Sequence, residues 1–152
     1  MKSTKPRAGS RRDVADLLCF AIYSAGHAFN RVYKPLLDKL GLTYPQYLVM
    51  VALWAENDQT VGQIGDTLFL ESSTLTPLLK RLEGLGLLTR RRDPEDERQV
   101  RLRLTDKGDA LRKQSRDVSA CIGPVTGLTA DTAAALRGEI VRLRDNLMKA
   151  AG

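Results

Sequence analysis

The stretch TVGQIGDTLFLESSTLTPLLKRLEGLGLLTRRRDPEDERQVRLRLTDKG, residues 60–108, decides the fold. Its first four residues, Thr60-Val61-Gly62-Gln63, fit a capping box. In that arrangement a Thr hydroxyl and a Gln side chain satisfy two orphan backbone donors at a helix start. The helix is predicted to run to about Leu68, and Phe69-Leu70-Glu71 to turn the chain. Ser72 or Ser73 can then cap a second helix, in which Leu75, Leu78, Leu79 and Leu82 recur at three-and-four spacing and form a core-facing stripe. The opposite face carries Ser72, Ser73, Thr74, Thr76, Lys80 and Arg81. Short hydroxyls at a helix start, followed by cations, suit a helix that approaches base edges in the major groove.

Gly84 and Gly86 end the second helix, and from Leu87 the period changes to two. Val100, Leu102 and Leu104 alternate with Gln99, Arg101 and Arg103, which predicts a half-buried strand paired with residues 88–92. Between them lies the tip Asp93-Pro94-Glu95-Asp96-Glu97-Arg98. Pro94 presets a turn, and Asp96 stands two residues before Arg98, where its carboxylate can orient the guanidinium. A tip arginine can enter a narrow minor groove, where the negative potential is strongest. Two short helices, a tight turn and a charged hairpin, in that order, are a winged helix-turn-helix. The expected fold class is therefore mainly α, with a small β-hairpin wing.

The segment from Leu87 to Val100, followed by Leu104-Thr105-Asp106-Lys107-Gly108, resembles the wing signature of the MarR-type regulators. The resemblance spans most of the chain. It implies a small, mainly helical homodimer with a winged helix in each subunit, acting as a repressor on palindromic double-stranded DNA. On this reading Ser72, Thr74 and Thr76 contact base edges, Arg81 and Arg90 contact phosphates, and Arg98 enters the minor groove, steadied by Asp96.

Composition narrows the class. A chain of 152 residues with 43% hydrophobic content has the size of one domain with one core. The net charge of +6 points to a polyanionic partner, but residues 1–12 carry Lys2, Lys5, Arg7, Arg11 and Arg12 and no acid, so most of the charge sits in this tail. A basic, flexible tail of residues 1–12 is expected ahead of a single regulator domain of residues 13–152. Its phosphate contacts would be independent of sequence and sensitive to salt. The apolar run 17–23 follows these basic residues as in a signal peptide, but Asp13 and Asp16 intrude and the helical spacing continues beyond any cleavage point. No run is long enough to span a membrane, so the expected location is cytoplasmic, with both cysteines reduced at rest. There is no Cys-x-x-Cys pair, and His27 is the sole histidine, most simply a helix residue with a satisfied hydrogen bond. With no Gly-rich phosphate loop and no serine-histidine-acid set, neither a metal, a cofactor nor a catalytic centre is expected.

The termini read as helices. Apolar residues from Val14 to Leu40 follow helical spacing, with Pro35 expected to kink or break the element and Gly41 to close it. Thr43-Tyr44-Pro45-Gln46 caps a helix that runs to about Glu56. After the wing, a helix from about Asp106 runs toward Cys121 and is expected to break at Gly123-Pro124, and a last helix covers about residues 130–150. By analogy with the family, residues 13–40 and 106–150 are the dimerisation helices and 43–105 the DNA-binding core. Apolar patterning by itself equally permits an intrachain bundle.

Around Cys19, the sequence Leu18-Cys19-Phe20-Ala21-Ile22-Tyr23 resembles the first helix of the organic hydroperoxide resistance regulators (OhrR). This resemblance implies that Cys19 is a redox sensor whose sulfur accepts hydrogen bonds from two tyrosines, at positions matching Tyr33 and Tyr44. It further implies that Cys121 is the resolving thiol of a two-cysteine sensor, forming a disulfide across the dimer. Fourteen residues of continuous helix rise about 21 Å, so Tyr33 cannot touch Cys19 of its own chain, yet it returns to within about 40° of the same face. Two such helices crossing antiparallel would bring Tyr33 of one chain to Cys19 of the other. A cysteine with a pKa near 8.5 is only about 3% thiolate at pH 7, and hydroxyls donating to sulfur would increase that share. Apolar neighbours such as Phe20 and Ile22 suit an organic hydroperoxide. Two alternatives stand beside this reading: release of DNA by a small aromatic ligand, and a thiol peroxidase using Cys19. Glu71 and Ser73 stand where this branch often has Asp and Gly, and Pro77 removes a backbone donor just past the first turn of the second helix.

Overall fold

The computed structural model describes residues 13–152. The basic segment 1–12 lies outside the described residues. Asp13 caps a short 3-10 turn, Val14–Asp16, by accepting from the Ala15 amide. Leu17 is extended, and α1 (Leu18–Asp38) starts only there, later than the continuous pattern from Asp13 predicts. The extended backbone of Leu17, φ −88° and ψ 123°, separates the 3-10 turn from α1.

Pro35 does not break α1. Packing on both sides holds the helix through it: Tyr33 lies against the core before it, and Leu37, 2% exposed, is buried after it. A Lys34–Asp38 ion pair of 3.2 Å spans the same turn. Gly41 takes φ +69° and ends the helix, with the Leu42 amide returning to the Leu37 carbonyl.

The two capping boxes form as predicted. Thr43 and Gln46 start α2 (Tyr44–Ala55), and Thr60 and Gln63 start α3 (Val61–Leu68). α4 (Ser72–Gly84) begins differently from the expectation: its N-cap is Glu71, which makes no side-chain cap bond, and both serines lie inside the first turn. The hydroxyls of Ser72 and Ser73 are thereby free of capping duty. Gly65 lets the turn between α3 and α4 close, because a Cβ there would stand 2.8 Å from the Leu70 carbonyl oxygen.

A strand that the sequence pattern does not reveal precedes α3. β1 (Gln59–Thr60) pairs antiparallel with β3 (Val100–Leu104), which also pairs with β2 (Leu88–Arg92), giving the order β1-β3-β2. The hairpin register sets Leu88 opposite Leu104 and Arg92 opposite Val100. The wing is therefore a three-stranded sheet rather than a lone hairpin.

α2 runs through the middle of the core, with Tyr47, Val49, Met50, Leu53 and Trp54 buried against Ile64, Leu75, Leu79, Leu82, Leu88 and Leu102. α5 (Asp106–Val125) is stitched to this core at its start. The Trp54 indole donates to the Gly108 carbonyl over 2.9 Å, and a Cβ on Gly108 would stand 1.9 Å from the Leu87 oxygen. α5 continues through Gly123 and Pro124, contrary to the expected break, and stops at Thr126 and Gly127. Pro124 falls in the last turn, so the loss of one bond there costs little continuity. α6 (Ala130–Ala151) has no buried residue, and Leu136, Ile140, Leu147 and Met148 are exposed. Between α6 and the first half of α1 lies an open groove of about 560 Å³ lined by Leu18, Ile22, Leu136, Ile140 and Leu143.

Candidate nucleic-acid interface and sensor thiol

α4 presents Ser72, Thr74, Thr76 and Arg81 on its exposed face while Leu75, Leu79 and Leu82 anchor the other. The Thr76 hydroxyl donates to the Ser72 carbonyl over 2.8 Å, which leaves its oxygen lone pairs outward. A recess of about 430 Å³ between the start of α4 and the wing is lined by Thr60, Ser72, Thr76, Arg90, Arg98 and Gln99. Four of the residues singled out in the sequence thus share one concavity; Thr74 and Arg81 lie on the helix outside it.

The wing tip has the geometry anticipated for Asp96 and Arg98. The guanidinium donates to both Asp96 oxygens, from Nε at 3.0 Å and Nη2 at 3.2 Å, and the Arg98 amide adds a third bond at 3.1 Å. The Arg98 side chain is 89% exposed. Its own hydrogen bonds hold the Asp96 carboxyl below the usual carboxylate range. An arginine aimed by a short carboxylate yet open to solvent is preorganised to meet an anion outside the protein.

Arg90 has a partner within the chain. Nε and Nη2 both donate to Glu83 Oε1, at 3.2 and 3.1 Å, and its amide donates to Glu83 Oε2 at 3.0 Å. The amide bond first and the guanidinium second lower the Glu83 pKa. With its charge matched by Glu83, Arg90 ties β2 to the end of α4 while it also lines the recess between α4 and the wing.

A second ion-pair cluster at the wing base escapes sequence reading. Arg101 donates from Nε to Asp58 at 2.8 Å and from Nη1 to Asp93 at 3.1 Å, and Arg103 reaches Asp58 at 2.9 Å. Asp58 has φ +60°, a strained conformation for a residue with a side chain, held here by these partners. Arg103 chiefly, then Arg101, lower the Asp58 pKa; the Glu95 amide, then Arg101, lower that of Asp93. Asp58 and Arg101 stand too far apart in sequence for any local pattern to link them.

Cys19 lies in the first turn of α1, and both Cys19 and Cys121 are exposed free thiols. α1 is unbroken from Cys19 to Tyr33, so the rise of about 21 Å between them holds within one chain. Tyr33 and Tyr44 come together, with ring centroids 4.8 Å apart. Burial first, and the neighbouring tyrosines second, raise the pKa of both phenols. Tyr47, which the sequence reading passed over, completes the cluster at 6.0 Å from Tyr33 and 6.4 Å from Tyr44. His27 is exposed and packs edge-on against Tyr23 at 4.4 Å, and among the described residues it makes no side-chain hydrogen bond of the kind expected for it.

Comparison with known proteins adds identity to this geometry. The family model described as "Transcriptional regulator SarA/Rot" matches residues 31–114. The chain is 50% identical over 135 residues to the HTH-type transcriptional regulator TtmR of Methylorubrum extorquens, covering 89% of this chain and 69% of that one. It is 46% identical over 112 residues to the organic hydroperoxide resistance transcriptional regulator of Bacillus subtilis, covering 74% of each. Among solved structures, AbfR of Staphylococcus epidermidis superposes with a TM-score of 0.76 at 38% identity, covering 90% of this chain and 94% of that one. AbfR has also been solved reduced and bound to DNA, and in a disulfide form. The chain belongs to the MarR family of winged-helix transcriptional regulators, of the SarA/Rot type, and its Bacillus relative supports a place in the organic hydroperoxide resistance branch.

Proposed function

We propose that this protein is a homodimeric, cytoplasmic repressor that binds palindromic double-stranded DNA when reduced and releases it when an organic hydroperoxide oxidises Cys19. The observation that carries the reading is the pairing of an exposed thiol on the uncovered face of α1 with two protonated, touching tyrosines that their own chain keeps away from it. A second copy, its α1 crossing antiparallel, would supply Tyr33 and Tyr44 to Cys19. The same copy would cover Leu18, Phe20, Ile22, Leu136, Ile140 and Leu147, all exposed in the single chain. DNA meets the recess between α4 and the wing: Ser72, Thr74 and Thr76 read base edges, Arg81 contacts phosphate, and Arg98 enters the minor groove.

The chemistry is one two-electron oxidation. The Cys19 thiolate attacks the terminal peroxide oxygen, the O–O bond breaks, an alcohol leaves after protonation, and Cys19 becomes a sulfenic acid. Cys121 then attacks the oxidised sulfur, forming a disulfide across the dimer and releasing water. Because the dimer helices carry the thiols, the disulfide reorients the two winged helices and spoils their fit to half-sites about one turn apart. One equivalent of an organic hydroperoxide, followed by a non-reducing gel, mass mapping and a DNA-retention assay, tests the scheme. The expected result is a dimer-sized band joined through Cys19 and Cys121, with loss of DNA binding. An unchanged response in Cys19→Ser would end the sensor reading and favour release by a small ligand; repeated turnover with a thiol reductant would favour a peroxidase.

A further inference from the structure

Tyr47 of α2 is 6% exposed and bridges two other elements, α1 and α5. Its ring packs on Tyr33 of α1 and Tyr44 of α2, and its hydroxyl lies 3.3 Å from Ser119 Oγ on α5, a hydrogen bond that either group can donate. Ser119 stands two residues before Cys121. Two residues turn a helix by about 200°, so α5 holds Ser119 toward α2 and presents Cys121 on the opposite side, where it is exposed.

The end of α5 gives up part of its own helical bonding. Pro124 has no amide hydrogen, so the Ala120 carbonyl, next to Cys121, lacks its helical donor. The final bonds run from the Thr126 amide and hydroxyl to the Gly123 carbonyl, at 3.2 and 2.7 Å. Val118, buried in the core, and the Tyr47–Ser119 bond hold the segment, and Ile122 beside them is also buried. A bond of this length between neutral groups is a weak one, suited to a contact that must open.

We propose that Tyr47 is a positioning residue for the second step of sensing: through Ser119 it latches the end of α5 and sets the rate at which Cys121 captures oxidised Cys19. The inference rests on the sensor reading above. A disulfide requires α-carbons within about 7 Å, so any gap between Cys121 and its target is closed by movement of the end of α5. Loss of the tyrosine hydrogen bonds when the thiolate becomes a sulfenic acid frees Tyr33 and Tyr44, and Tyr47, packed on both, passes that loosening to Ser119. In the capture step, the Cys121 sulfur displaces hydroxide from the sulfenic acid of Cys19, and the thiol proton leaves with it as water, so no further oxidant is needed.

The test follows full-length protein after a pulse of cumene hydroperoxide, quenched at intervals with an alkylating agent and separated on non-reducing gels. Loss of alkylatable Cys19 reports the first step and growth of the disulfide band the second. Tyr47→Phe and Ser119→Ala are each expected to accelerate capture about threefold to tenfold, while the double variant goes no faster than either alone. Ser119→Thr, which keeps the hydroxyl, should retain the wild-type rate, a rescue that a merely structural role would not produce. Unchanged or slower capture in both single variants, multiplying effects in the double variant, or a Ser119→Thr protein that behaves like Ser119→Ala would overturn the latch. A wild-type Cys19 that resists the peroxide would show in the first step, before any variant is compared, and would remove the sensor reading and the latch with it.

Discussion

The winged-helix core and the chain ends solve opposite problems with the same kinds of residue. In the core, α2 is buried on nearly every side, and Val49, Met50, Leu53, Ile64, Leu75, Leu82 and Leu102 are wholly or almost wholly removed from water. At the ends, the first half of α1 and all of α6 carry leucines, isoleucines and a phenylalanine at helical spacing that the other described residues leave exposed. One region is finished by its own sequence; the other is left open at the surface where Cys19 lies. The lesson is that apolar periodicity identifies a buried face without saying whose atoms bury it.

The largest effect should separate the two regions most sharply. Leu53→Ala removes a side chain that is fully buried, and a cavity of that kind costs about 2 to 5 kcal/mol, read as a fall in the thermal midpoint. Ile140→Asp, on the open face of α6, should instead leave secondary structure intact and shift sedimentation from dimer to monomer at micromolar concentration. If Ile140→Asp unfolds the chain as Leu53→Ala does, the distinction between a closed core and an open end is wrong.

Within the core, the wing tip faces outward and the wing base inward. Arg98→Ala should weaken binding to the operator by about 1 to 3 kcal/mol and reduce the slope of affinity against salt by about one, measured by fluorescence anisotropy across a salt series. Glu83→Gln frees Arg90 from its partner; the expected outcome is a smaller loss of affinity, about 1 kcal/mol, with the salt slope unchanged, because the wing angle loosens while no phosphate contact disappears. A steeper salt slope in Glu83→Gln would show that the released arginine reaches DNA.

The smallest effect concerns acid. Asp58 and Asp93 have folded pKa values below those of free carboxyls, so they bind fewer protons when folded than when unfolded. Their contribution is present in full above the unfolded value near 3.9 and is lost as pH falls through the folded values. Denaturant titrations should therefore show the gap between wild type and Asp58→Asn to be constant from pH 5 to 7 and to narrow below about pH 4. A gap that widens in acid would mean the carboxylate is not the stabilising form.

Much of the core was legible because its signals are local. Capping boxes at Thr43 and Thr60 join residues three apart, the leucines of α4 repeat within thirteen residues, and Asp96 aims Arg98 across two. Misreadings cluster where packing or a distant partner outvotes a local rule. Pro35 is expected to kink or break α1, yet neighbours buried on the core carry the helix through it, and Pro124 falls so late in α5 that the helix is nearly complete before it. A serine cap was expected for α4, but the chain enters the helix one residue sooner, at Glu71. β1 has two residues, too few for any period, and exists because β3 offers it a ladder.

By itself the sequence determined the order of the helices, the β2–β3 hairpin and the amino acids able to read DNA or carry a thiol. Periodicity, caps and turns are written within a few residues and need no other part of the chain. Only the tertiary structure decided that Arg90 belongs to Glu83, that Arg101 and Arg103 close on Asp58, that Tyr33 and Tyr44 touch, and that Tyr47 links them to Ser119. Those pairings depend on where separate elements come to rest, and that is set by how the buried faces of α1, α2, α4 and α5 pack together rather than by any spacing along the chain.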